Sequence, residues 1–266
     1  MPEFSKEEKA EFLWEGNQFS SVENVIAVAS GKGGVGKSLV TSLLACSAAK
    51  AGHETAIMDA DVTGPSIPKA FGMHGHLDGV EGIGIEPRVS DLGIKVVSMN
   101  LLLENEEQPV VWRGPVVAGV LEQFWKDVDW GQVDYMFVDM PPGTGDVPLT
   151  VYQSLPVKGI VLVTTPQDLV QMIVKKASTM AQMMNVPILG VIENMSYLTC
   201  PDCGKKISVF GESKADLIAK ELGIPVLATL PMDPAVATLV DQGKVEYIQE
   251  AKADAAFSAL EKAVLK

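Results

Sequence analysis

A glycine-rich octapeptide, Gly31-Lys-Gly-Gly-Val-Gly-Lys-Ser38, separates a short apolar run, Val25-Ile-Ala-Val-Ala-Ser30, from a stretch with apolar residues at Leu39, Leu43 and Cys46. The run reads as a buried strand. The stretch, spaced by three to four residues, reads as a helix. A glycine turn between them lies at the carboxyl end of a strand and the amino end of a helix. That context selects a doubly wound α/β sheet. The octapeptide fits G-x-x-x-x-G-K-[ST], in which consecutive backbone N–H groups turn inward as a nest for phosphate oxygens. The helix N-terminus adds its positive dipole end. Gly31, Gly33, Gly34, Val35, Gly36, Lys37, Ser38 and Leu39 are therefore the expected nucleotide-phosphate residues. Lys37 is expected to reach the β and γ phosphates of ATP, and the Ser38 hydroxyl to ligate Mg²⁺.

The same glycines also fit G-x-G-x-x-G, with Asp59 and Asp61 roughly where a dinucleotide fold carries its ribose acid. Lys37 and Ser38 decide between the two templates, because a dinucleotide site needs neither. The rest of the 266-residue chain keeps alternating. Apolar runs recur at residues 55–58, 94–99, 135–138, 159–164, 187–192 and 226–230. They are continuous, as in strands covered on both faces. Helix-length stretches lie between them at 116–126, 167–184, 213–222 and 234–242. This predicts a mostly parallel sheet in a single domain over 24–266, after an extension at 1–23 with one short helix. One segment, about 195–211, breaks the rhythm.

Acidic residues number 34 against 21 basic, a formal charge of −13. Such a chain repels nucleic-acid backbones and anionic membranes, so neither is an expected partner. No apolar run reaches eighteen residues, and the N-terminus has no secretory apolar region. Three cysteines make no disulfide framework, so a cytoplasmic, reducing location is expected.

Acids follow two later strands. Asp59 and Asp61 follow the second and share a side if the strand extends that far. Asp139 closes Tyr-Met-Phe-Val-Asp139 and precedes Met-Pro-Pro-Gly-Thr-Gly-Asp146. A carboxylate there matches an acid that holds Mg²⁺, and the two acids after the second strand suit the outer coordination sphere of Mg²⁺ and water positioning. Gly143 can bring its N–H close to a γ-phosphate, having no Cβ.

Cys200-Pro-Asp-Cys203-Gly204 places two sulfurs where both can face one ion. Structural zinc and a [4Fe–4S] cluster each want four ligands. Cys46 falls in a predicted buried helix, and His53, His74 and His76 have no visible link to the pair. A second copy of the chain is the simplest completion. Four readings stand at this point: a bridging [4Fe–4S] cluster, a bridging structural Zn²⁺, a redox pair, and free thiols. The redox pair is disfavoured because no helix pattern opens after Cys200.

Lys32, at the second position of the loop, resembles the signature lysine of the deviant Walker A ATPases. That superfamily includes the MinD and ParA positioning ATPases and the nitrogenase iron protein. The resemblance implies that Lys32 crosses a homodimer interface to the partner's nucleotide, and acts with Lys37 and Asp61 in hydrolysis. Asp61 would orient the attacking water, and Asp59 would lie near Mg²⁺. Asn194 would read the adenine edge, with Pro231 and Asp233 walling the base. A turn-forming Asn and an Asp-Pro helix start are the structural alternatives.

The phosphate loop, Asp59-Ala-Asp61 with Gly-Pro-Ser66, Trp112-Arg-Gly-Pro115, Asp139 to Asp146, Glu193-Asn-Met195 and Cys200-Pro-x-Cys203 occur in order. As a set they resemble the Mrp/ApbC family of iron–sulfur cluster carrier ATPases. The resemblance implies a homodimer that binds and slowly hydrolyses ATP, assembles a [4Fe–4S] cluster on Cys200 and Cys203 of each subunit, and passes it from a cluster donor to apo-proteins. The alternative is a MinD- or ParA-like positioning ATPase with a structural zinc. A nitrogenase-like reductase fits less well, since it ligates its cluster through widely separated cysteines. Arg113 has no assigned chemistry, and Met180, Met183 and Met184 read as core filler.

Overall fold

The computed structural model describes residues 10–61, 64, 66–77, 79–80, 84–102, 114–167 and 170–264. Residues 1–9 of the extension, and Trp112 and Arg113, lie outside them. Strand β1 (Ser21–Ser30) feeds the glycine loop and helix α1 (Lys37–Lys50). There follow β2 (Thr55–Asp59), α2 (Ile67–Ala70), β3 (Gly79–Val80), β4 (Gly84–Ile85), β5 (Arg88–Val89) and β6 (Lys95–Ser98). Next come α3 (Gly114–Lys126), β7 (Gln132–Asp139), α4 (Asp146–Ser154), β8 (Val157–Thr164) and α5 (Val170–Met183). The chain ends with β9 (Ile188–Thr199), β10 (Lys206–Ile207), α6 (Ala215–Leu222), β11 (Val226–Met232), α7 (Pro234–Asp241) and α8 (Ala251–Val264).

Among the described residues the main sheet runs β10-β9-β8-β1-β7-β2-β6-β5, with β11 also paired to β9. All its pairings except those of β10 and β5 are parallel. The first strand is therefore central, and the chain winds outward from it both ways. Its carboxyl end is the switch point, where doubly wound sheets hold ligands.

The continuous apolar runs bury both faces. Ile26 and Val28 of β1 face a core with Leu44, Phe137 and Phe257 under α1 and α8. Val25 and Ala27 face the other core, with Phe124, Trp130 and Met136 under α3. Alternation along one strand thus feeds two cores. Met184 is buried in the second core, with Met180 and Met183 packed against it.

The sequence reading and the structure differ in three places. Helix α4, with Pro148 in its first turn, gave no clear periodic signal; proline is tolerated there because the first N–H groups have no helical partner. Strand β1 begins at Ser21, inside the expected extension. Strand β9 runs on to Thr199, well past the apolar run, so the first part of the irregular segment continues the sheet.

Candidate functional site

Strand register brings the acids together. Asp139 of β7 pairs with Asp59 of β2 on one side and with Val28 of β1 on the other. Both carboxylates therefore end up side by side, two residues short of where β1 ends. The phosphate loop turns over them. Ser38 Oγ donates to Asp139 Oδ2 at 2.6 Å, and Lys37 Nζ meets the same oxygen at 2.7 Å. The other oxygen accepts from Thr41 Oγ1 at 2.6 Å. Lys37 also lies 3.8 Å from Asp61. Ser98 Oγ donates to Asp59 at 3.0 Å, and the Asp61 N–H caps Asp59 at 3.1 Å.

Two of these partners were missed in the sequence. Thr41 lies four residues after Lys37, one helical turn along the same face, so i,i+4 spacing could have found it. Ser98 ends β6, whose register places it opposite Asp59. The oxygens of Ser38, Asp59 and Asp139 are hard donors that suit Mg²⁺. Among the described residues no three metal-ligating side chains form a cage. Mg²⁺ takes one or two carboxylates and completes its shell with water and substrate phosphate.

Asp59 and Asp139 are both completely buried. Burial, then the neighbouring Asp139, push the Asp59 pKa up to about 8, against the pull of Lys37 and Ser98. An unfolded aspartate is ionised above about pH 4. Between pH 4 and pH 8 the folded state therefore holds a proton that the unfolded state has lost. This group makes stability fall as pH rises through that window. Magnesium-free protein should lose melting temperature between about pH 5.5 and about pH 8.5. Asp59→Asn, which mimics the protonated acid, should flatten that slope. An unchanged slope in the variant would contradict the assignment.

The loop borders a cleft of about 330 Å³ that includes Lys32, Gly33, Lys37, Ser38, Asp61 and Pro142. Gly36 has φ +79°, and a Cβ there would sit 2.2 Å from Asn194 Nδ2. Gly36→Ala meets both a left-handed backbone penalty of about 1–2 kcal/mol and this steric clash. It should therefore lower the stability of the fold by at least about 1–2 kcal/mol. Unchanged urea denaturation would show that the loop has slack the geometry does not suggest.

Other expected residues are placed differently from one another. The Asn194 side chain is buried and donates to the Val35 carbonyl at 3.0 Å, so its amide supports the phosphate loop. The Gly143 N–H donates to the Ser30 carbonyl at 2.9 Å. Asp233 caps α7 through the Ala235 N–H at 2.8 Å, with Pro234 at the first helical position. Pro231 lies in β11 at the same end of the sheet, paired with Tyr197.

Cys200 and Cys203 occupy the turn between β9 and β10. Leu198 and Thr199 pair antiparallel with Ile207 and Lys206. The Cys200 N–H donates to the Lys205 carbonyl and the Gly204 N–H to the Cys200 carbonyl, both at 2.9 Å. Gly204, at φ +69°, takes the left-handed turn that folds the loop back. The backbone N–H groups of Cys203 and then Asp202, and next the Cys203 thiol, point at the Cys200 sulfur and lower its pKa. Stabilised thiolate is the form that ligates metal. Burial pushes Cys46 up to about 12 instead, which leaves that thiol inert. Lys206 and Lys252 stand 4.4 and 4.6 Å from the Tyr197 ring, seating the hairpin against α8.

A glycine-rich phosphate-type loop and a two-cysteine hairpin thus stand on one sheet. The family model named ParA, described as NUBPL iron-transfer P-loop NTPase, matches residues 21–265. The chain belongs to this family. The iron-sulfur cluster carrier protein of Clostridium perfringens is 48% identical over 243 residues, 88% of this chain and 85% of that one. That of Methanocaldococcus jannaschii is 42% identical over 248 residues, 93% and 86%. A nucleotide-binding protein from Archaeoglobus fulgidus, solved with ADP and with Co found, is 43% identical with a TM-score of 0.79, covering 87% of this chain and 90% of that one. The MinC:MinD complex of Aquifex aeolicus shares the fold at 17% identity and a TM-score of 0.62, over 91% of this chain and 96% of that one. The iron-transfer family and the P-loop NTPase fold expected from the ordered motifs are both present. No helix among the described residues is long and apolar enough to cross a membrane.

Proposed function

We propose that the protein is an ATP-dependent carrier whose homodimer assembles a [4Fe–4S] cluster on Cys200 and Cys203 of each subunit and delivers it to apo-proteins. The observation that carries this reading is the cysteine hairpin itself. It offers two thiols shaped for one ion, and no third metal-ligating side chain joins them among the described residues. A cluster wants four thiolates, so two hairpins meeting across a two-fold axis complete it. A reducing, cytoplasmic location keeps both thiols available.

In this proposal the loop amides of Gly33, Gly34, Val35 and Gly36 cradle the phosphates, while Gly31 and Leu39 frame the loop. Ser38, Asp139 and Asp59 would hold Mg²⁺, which would neutralise charge on the phosphates. Lys37 moves from Asp139 to the β and γ phosphates. Asp61 orients the attacking water, and Lys32 reaches the partner subunit's nucleotide. Gly143 follows the γ-phosphate, and Pro231 walls the base, with Asp233 fixing the start of the helix behind it. Turnover is slow, because the nucleotide holds a carrier state.

The test is transfer. Protein reconstituted anaerobically with iron and sulfide is mixed with an inactive apo-protein that needs a [4Fe–4S] cluster, in the presence of an iron chelator. Recovery of activity is expected with the wild type and absent with Cys203→Ala. Recovery no better than that given by free iron and sulfide would contradict the carrier reading.

A further inference from the structure

Glu193 has no part in the chemistry above, yet it is completely buried. One carboxylate oxygen accepts from Ser196 Oγ at 2.7 Å, and the other from the Lys214 N–H at 2.9 Å. Ser196 lies before the cysteine hairpin and Lys214 after it, at the start of α6. One buried carboxylate therefore closes the base of the whole hairpin segment. Its neighbour Asn194 holds the Val35 carbonyl of the phosphate loop.

The strand is not regular between them. β11 pairs Thr229 with Glu193 but Pro231 with Tyr197, so one residue between pairs on β11 faces three on β9. Met195, inside this bulge, has φ +53°. A left-handed non-glycine residue persists only where its surroundings hold it. Bulges re-aim the strand beyond them. This one aims the end of β9 that carries Cys200, six residues past Asn194 and on the order of 20 Å along the strand. The phosphate-loop side is equally tight, since Asn194 Nδ2 would lie 2.2 Å from a Cβ at Gly36. A shift of the loop at Val35 or Gly36 must therefore move Asn194 or break its hydrogen bond.

We propose that the bulge over residues 193–196 is a positioning joint that ties the phosphate loop to the cysteine hairpin, with Asn194 as the positioning residue that makes the link. Nucleotide at the loop then resets the environment of Cys200. The proposal rests on the reading of Cys200 and Cys203 as cargo ligands, and assigns the route by which nucleotide state reaches them.

The experiment uses full-length, reduced, metal-free protein. Iodoacetamide alkylation of Cys200 and Cys203 is followed residue by residue by mass spectrometry, with and without saturating Mg·ADP. Nucleotide affinity is measured separately for each variant, so saturation is known. Couplings between sites are commonly at least about fivefold, and a Cys200 rate change of that size is expected in the wild type. Asn194→Ala and, independently, Ser196→Ala should bring it within about twofold. Ser196→Ala removes only a hydroxyl, so it serves even where Asn194→Ala folds poorly. No nucleotide dependence in the wild type, or full dependence in both variants, would overturn the joint. Failure of the carrier reading would look different: the wild type would take up no iron and sulfide at all.

Discussion

Lys37→Ala should abolish phosphate turnover and also strip the metal-free protein of much of its stability. The ammonium is the charge placed 2.7 Å from Asp139 and 3.8 Å from Asp61, beneath the loop. Asp139 and its neighbour Asp59 are both fully buried. Removing one partner of a buried ion pair leaves an uncompensated charge and costs about 3–5 kcal/mol. A domain of this kind has only about 5–15 kcal/mol in hand. Urea denaturation of Lys37→Ala should show that loss. Lys37→Ala combined with Asp139→Asn should recover a large part of it, because the stranded charge is gone. Turnover should stay lost in both, since the proposed role of Lys37 at the phosphates is not restored. If the double variant is no more stable than Lys37→Ala, the buried pair is not the source of the effect.

Cys200→Ala and Cys203→Ala should do the reverse. Cys203 is exposed and Cys200 half-buried, and neither packs in a core. Surface substitutions of this kind usually stay within about 0.5 kcal/mol. The melting curve and nucleotide affinity should therefore be unchanged. Cargo binding should vanish in either variant, because half a ligand set per subunit cannot hold a cluster that needs all four. Under iron and sulfide loading the wild type should dimerise and each variant should remain monomeric, as read by light scattering. Iron retained by either single variant would mean that other residues complete the site.

Much of this architecture is written locally in the chain. Continuous apolar runs marked the seven parallel strands because each is buried on both faces, and the octapeptide marked the loop because its glycines and Lys37-Ser38 are contiguous. What was not legible depends on register between distant segments. Ser98 meets Asp59 only because β6 pairs with β2 in that register. The Asn194 amide finds Val35 across 159 residues. Polar Glu193, Asn194 and Ser196 follow the apolar run of 187–192 and so read as leaving the sheet, although β9 continues through them as a bulge. Asp233 shows the converse: its Asp-Pro sequence indicated a helix start, and its side chain caps α7.

A cluster carrier is distinguished most directly by the iron, sulfide and zinc content of protein purified without oxygen, beside Cys200→Ala and Cys203→Ala. About four iron and about four sulfide per two chains are expected, with both lost in each variant. About one zinc per two chains, held by four cysteine ligands and persisting through attempted reconstitution, would contradict the carrier reading and make the hairpin a structural staple of a P-loop ATPase that carries no cluster.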